Sequence, residues 1–232
     1  MAKPNSTGLL DKTLFQLVKQ NLINTIYDIG ANKGDWTQKY SAKLPGVEFH
    51  MFEAMPSPTA PNTSGHWHNV ALSNNEADEK DFFISPIGGG AGNSFYEENS
   101  QLYKEMGEKI KIKTQTLDNY SKGLGIKRPD FIKIDTQGSE LDILEGANNC
   151  LGNCIALLSE VPIVKYNKGA PSMPDYINFM KDKQMVPIGI EEIHILDSML
   201  VQVDILFVKE SHYKKSLNQV NPIGWQLNID WE

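Results

Sequence analysis

Short apolar runs of strand length alternate along this chain with stretches of helical period, and most of the runs end on an acid. Residues 24–29 (NTIYDI), 47–52 (VEFHMF), 69–73 (NVALS), 129–134 (PDFIKI) and 155–161 (IALLSEV) read as strands. Residues 9–22, 34–44, 139–147 and 173–183 read as helices. Strands alternating with helices build a mostly parallel sheet. Ligands of such sheets bind beyond the carboxyl ends of the strands, near the point where strand order reverses. Asp28, Glu53, Asn69, Asp135 and Glu160 stand at or just past those ends. Core packing does not explain acids at four of these five positions, so they are the first candidates for a site.

The remaining pattern completes the expected fold. Residues 186–196 and 203–208 read as the last two strands, and residues 81–85 and 110–116 as an added pair. Between that pair runs a glycine-rich loop, Gly88 to Asn93. Pro56, Pro58 and Pro61 exclude a regular helix over 55–65 and predict a loop. The expectation is a Rossmann-like α/β sandwich: a mostly parallel seven-stranded sheet, helices on both faces and a small β-hairpin insertion. Nothing marks a linker, so residues 1–232 are expected to form one domain, with an N-terminal helix in 1–24, a core in 25–209 and a tail in 210–232. The tail has no clear period, and its Trp225 and Trp231 could pack on the domain, which is the plainest reading, join a dimer or cover the acceptor.

Charge and composition narrow the partners. The net charge is −7 and no basic stripe occurs, which disfavours nucleic acid. No apolar run approaches the ~20 residues of a membrane span. The polar N-terminus is unlike a signal peptide, and the two cysteines, Cys150 and Cys154, suit a reducing compartment. A cytoplasmic location and no membrane partner are expected.

The first strand-to-helix turn reads Asp28-Ile29-Gly30-Ala31-Asn32-Lys33-Gly34. Its spacing, D-x-G-x-x-x-G, is not the G-x-G-x-x-G of a pyrophosphate cradle. An acid at the strand end repels a phosphate and suits a cation, such as the amino group of S-adenosylmethionine. Glu53 follows 25 residues after Asp28 (53 − 28), placed to accept from ribose hydroxyls at the end of the second strand.

The segment FIKIDTQGSELDILEGA, from Phe131 to Ala147, closely resembles the hallmark segment of the FkbM family of methyltransferases. YDIGANKGDWT, FEAMPS, NVALSN, GNSFY, TLDNY and DILFV resemble the same family in the same order, from about residue 25 to 209. The resemblance implies a class I methyltransferase fold, S-adenosylmethionine as donor, and O-methylation of a sugar, glycan or natural-product hydroxyl. It implies that Gly30, Ala31, Asn32 and Gly34 line the methionine and adenosine side and that Glu53 takes the ribose. Asn69 and Ala71 would lie near adenine, and Asp135 where cofactor and acceptor meet.

A hydroxyl acceptor must lose a proton, and Asp135 is the first candidate base, with Glu160 beside it. Asp135 and Glu160 on neighbouring strand ends could also hold one Mg2+. Asn93 and Ser94 would offer hydrogen bonds to the acceptor from the glycine-rich loop, which reads equally as a plain hairpin. His66 and His194 read as surface or packing residues. A homodimer, a nicotinamide-dependent oxidoreductase on a similar sheet, and a binding module without chemistry stay open.

Overall fold

The computed structural model of the chain describes residues 8–55, 65–86 and 90–213. The proline-rich stretch at 56–64, Gly88 and Gly89 of the glycine-rich loop, and Trp225 and Trp231 lie outside the described residues.

The chain opens with helix α1 (Leu9–Lys19), whose Leu10, Leu14 and Leu17 fall on one buried face. Strand β1 (Thr25–Ile29) is buried along its whole length, as a central parallel strand must be. Then come α2 (Asp35–Lys43), β2 (Glu48–Glu53), β3 (His66–Asn69) and β4 (Ala71–Leu72). The next stretch holds β5 (Ala77–Ile84), α3 (Gln101–Met106), β6 (Glu108–Gln115) and α4 (Leu117–Leu124). The second half runs β7 (Phe131–Ile134), α5 (Glu140–Glu145), α6 (Asn148–Asn153), β8 (Ala156–Pro162), α7 (Met173–Asp182), β9 (Met185–Leu196) and β10 (Met199–Lys209).

Seven strands form the main sheet in the order β3-β2-β1-β7-β8-β10-β9. The first five are parallel, while β10 runs antiparallel to both β8 and β9. Order reverses between β1 and β7, so the ligand-binding crevice belongs above their carboxyl ends. One face packs Leu10, Leu14, Leu17 and Tyr40 of α1 and α2 against Ile26, Phe49, Phe131 and Leu158. The other packs Leu117, Leu144, Leu151 and Tyr176 of α4 to α7 against Tyr27, Ile132 and Phe207. Cys150 and Cys154 are free and buried. Among the described residues no helix is long and apolar enough to cross a membrane.

Two expectations change. The single strand predicted over 69–73 is two strands in two sheets. β3 pairs in parallel with β2 at the edge of the main sheet, and β4 leaves it to pair with β6. The reading missed β3 because its side chains (HWHN) are polar and half-exposed, as an edge strand allows. The predicted hairpin insertion is a three-stranded sheet, β4-β6-β5. Helix α4 was not anticipated, although Leu117, Tyr120 and Leu124 fall at helical spacing; Thr116 accepts from Asn119 N at its start, and Gly125 closes it at φ 66°.

Candidate active site

The turn between β1 and α2 explains its own motif. Gly30, Asn32 and Gly34 have φ of +73°, +51° and +79°. Every second residue is left-handed, which glycine and asparagine tolerate best. The turn is clamped against β2: Gly30 N and Ala31 N both donate to Phe52 O, at 2.9 and 3.1 Å. Gly30 also packs on the next strand end, where a Cβ would stand 1.8 Å from the carbonyl oxygen of Asp135. Glu53 completes the clamp, its carboxylate accepting from Asn32 N at 2.9 Å and from Met55 N at 3.1 Å. A carboxylate offers about four lone pairs, so about two remain for a ligand.

Sequence reasoning gave Asp28 an external cation. The structure supplies an internal one. Asp28 is fully buried, accepts from Thr37 Oγ1 at 2.8 Å, and has Lys133 Nζ 3.2 Å from its Oδ1. Lys133 also donates to Gly30 O at 3.2 Å and stands 3.7 Å from Asp135 Oδ2. Burial opposes its charge, but the attraction of Asp28 and Asp135 prevails and raises its pKa. One ammonium thus ties the first strand end, the cofactor-type turn and the candidate base together. Its signal was visible: a lysine inside the apolar run PDFIKI.

Strand register extends this row. Asp28 faces Lys133, which faces Leu158; Glu160 lies two residues on, opposite Asp204, which faces Glu192. The two-residue period puts these side chains on one face of the sheet. Glu160 is 5% exposed and lies behind the cleft. Gln137 Nε2 sits between it and Asp135, 3.1 Å from Asp135 Oδ1 and 3.1 Å from Glu160 Oε1. Tyr166 and Gln202 donate to Glu160 as well. Gln137 is held at a left-handed φ of +56° by these bonds and by its carbonyl, which accepts from Ser94 Oγ and Asn167 Nδ2. Glu140, wholly buried, braces the same turn by accepting from Thr136 N and Gly138 N. An N–H donor therefore occupies the gap where Mg2+ was expected, and the pair Asp135–Glu160 does not fit a hard cation.

Burial, then the charges of Asp135, Glu140 and Asp204, raise the pKa of Glu160 well above the ordinary glutamate value. It is buried behind Asp135 and does not line the cleft, so it is not placed to act as the base. A raised native pKa gives stability that is full below the unfolded pKa and is lost as pH rises toward the folded one. Thermal melts between about pH 5 and 9 are expected to show a falling Tm. The slope should be shallower in Glu160→Gln, which mimics the protonated form. Parallel slopes in the two proteins would show that Glu160 is not the titrating group.

The turn opens into a cleft. Phe52, Val70, Leu72, Phe82 and Phe95 form its apolar wall, with Glu53 and Asp135 on the polar side. A second cleft shares Gly30, Asn32 and Asp135 and continues over Ala31, Lys33 and Trp36. Of the predicted residues, Gly30, Ala31, Asn32, Glu53, Asn93 and Asp135 line one cleft or the other. Gly34 instead starts α2. Val70 and Leu72 face the cleft, whereas Asn69 turns away to donate to Glu53 O and Ala54 O, and buried Ala71 is also off the wall. Ser94 is buried, its hydroxyl committed to Gln137 O at 2.8 Å.

The profile of the methyltransferase FkbM domain matches residues 28–185. The chain belongs to this family. Its fold is the class I methyltransferase sandwich, with the antiparallel β10 set between β8 and β9. The FkbM methyltransferase of Methylobacillus flagellatus KT is 16% identical with a TM-score of 0.46; the match covers 79% of this chain and 44% of that one. This chain thus spans less than half of that protein's length. Magnesium protoporphyrin IX methyltransferase of Synechocystis PCC 6803, solved with S-adenosylmethionine, is 7% identical over 86% of this chain and 76% of its own, with a TM-score of 0.46. TrmK of M. capricolum, solved with S-adenosylhomocysteine, is 13% identical over 85% and 68%, also at 0.46. No curated protein matches the sequence. Within this FkbM domain, the family segment from Phe131 to Ala147 supplies Lys133, Asp135, Gln137 and Glu140, the residues that build the floor of the site.

Proposed function

We propose that this FkbM domain transfers the methyl group of S-adenosylmethionine to a hydroxyl oxygen of a small-molecule or glycan acceptor. The observation that carries the reading is the clamp of Gly30 and Asn32 onto Phe52 and Glu53, which sets a free-sided carboxylate beside an apolar wall. Glu53 would accept from the ribose hydroxyls. Phe52, Val70 and Leu72 would cover the adenine. Gly30 and Asn32 would follow the methionine chain toward Asp135.

When bound, the cofactor supplies an activated methyl on a good leaving group. The protein's part is alignment and proton removal. Asp135 is the carboxylate on the cleft, its side chain 40% exposed. Gln137 Nε2 holds its Oδ1, which leaves Oδ2, on the Lys133 side, to take the acceptor's proton. Lys133 keeps that carboxylate oriented, and Glu160 stays behind it as a buried support. No step needs a metal at Asp135.

Titration calorimetry with S-adenosylhomocysteine tests the reading, with NADH in parallel. This demethylated cofactor product is expected to bind and NADH not. Glu53→Ala should weaken binding about ten- to a hundredfold, from loss of charge-assisted hydrogen bonds worth about 1.5–3 kcal/mol. Unchanged affinity in that variant would remove Glu53 from the site, and binding of NADH alone would replace the methyl-transfer reading.

A further inference from the structure

The acidic row ends on the outermost hairpin, in a group that methyl transfer does not use. Glu192 and His194 lie two residues apart on β9. Asp204 lies opposite Glu192 on β10. The register of this antiparallel pair puts all three side chains on one face. His194 Nε2 stands 3.8 Å from Glu192 Oε2 and 4.0 Å from Asp204 Oδ1. One ligand atom from each residue lies within 4.8 Å of the other two.

These separations are too long for hydrogen bonds. Asp204 has a side chain only 20% exposed, and among the described residues nothing donates a hydrogen bond to it. A carboxylate so far buried is normally bonded. The contrast with the other acidic trio is instructive. Asp135, Glu140 and Glu160 are equally close together, but Gln137, Tyr176, Tyr166 and backbone amides already fill their lone pairs. The hairpin trio is open, and it contains an imidazole.

We propose that Glu192, His194 and Asp204 form a binding site for one divalent transition-metal ion, separate from the cofactor cleft. The imidazole selects for a borderline ion such as zinc or cobalt over magnesium and calcium, which prefer oxygen alone. Ligands about 2.0–2.2 Å from a common ion lie roughly 3–3.5 Å apart, so each side chain closes by less than about 1 Å. Three protein ligands leave coordination positions free. The ion would stabilise the hairpin by joining its two strands.

The test is titration of the full chain, stripped of metal, with Co2+, followed by calorimetry and by visible absorption. One equivalent should bind with micromolar affinity and give the ligand-field bands of a nitrogen and oxygen set. His194→Ala and Asp204→Asn should each weaken binding by more than about tenfold. Both variants should melt as cooperative units and bind S-adenosylhomocysteine as the parent does, and His66→Ala, on the distant edge, should bind Co2+ normally. Absence of binding at about 1 mM Co2+ would overturn the site, as would binding unaffected in both hairpin variants or lost in His66→Ala.

Discussion

Lys133→Met should destabilise the domain by about 3–5 kcal/mol, measured by denaturant unfolding. The residue is 8% exposed, and methionine fills much the same volume. What is lost is the ammonium between Asp28 Oδ1 at 3.2 Å, Gly30 O at 3.2 Å and Asp135 Oδ2 at 3.7 Å. Asp28 is wholly buried, and Thr37 alone cannot offset its charge. Removing one partner of a buried pair costs more than removing both, because the survivor stays charged. Asp28→Asn in the same protein should therefore recover a large part of the loss, since the amide oxygen can still accept from Thr37. A double variant no more stable than Lys133→Met would mean that packing, not charge, sets the effect. The single variant should also bind S-adenosylhomocysteine more weakly, because the carbonyl of Gly30 loses its anchor.

Gly30→Ala is the second large effect. A Cβ at this position would lie 1.8 Å from the carbonyl oxygen of Asp135 and 2.8 Å from its carbonyl carbon, and φ is +73°. The left-handed backbone costs alanine about 1–2 kcal/mol, and forcing two backbones apart adds about 1–3 more, so a loss of about 2–5 kcal/mol is expected. Binding of S-adenosylhomocysteine should fall below detection, because the contact that must open is the one joining the β1 turn to Asp135. Gly125→Ala is the control. Its φ is +66°, but nothing stands within 4 Å of the added methyl. It should cost about 1–2 kcal/mol and leave binding intact. Equal losses in the two variants would show that backbone strain, rather than the close approach to Asp135, makes Gly30 necessary.

Much of the site was legible because its signals are local. The glycines and asparagine of the first turn reveal themselves by spacing, since each meets a left-handed backbone that few residues accept. Glu53 and Asp135 are visible as acids where apolar runs stop. Asn69 and Ala71 show the limit. The motif was in the right place, but the chain changes sheets at Val70, so Val70 and Leu72 form the wall instead. A one-residue shift exchanges the two faces of a strand, and only pairing fixes it.

Glu160 and Asp28 show a second limit. Both were recognised as acids at strand ends, but an acid's chemistry depends on what lies within a few ångströms. Asp28 meets a lysine 105 residues away (133 − 28), and Glu160 meets a glutamine, a tyrosine and a second glutamine from three other segments. Those neighbours decide that Asp28 is a buried counter-ion and Glu160 a buried support.

The sequence by itself determined the alternating core strands with the helices that follow β1, β7 and β8, the parallel core and the residues of the first turn, but not β3, α3, α4 or α6, because hydrophobic period and backbone preference act over a few residues. Strand order and register belong to the tertiary structure. They decided that Lys133 joins Asp28 to Asp135, that Gln137 occupies the gap before Glu160, and that Glu192, His194 and Asp204 converge on one hairpin. Register is a long-range property: a shift of one residue turns every side chain to the other face, and no local pattern records which partner strand will hold it in place.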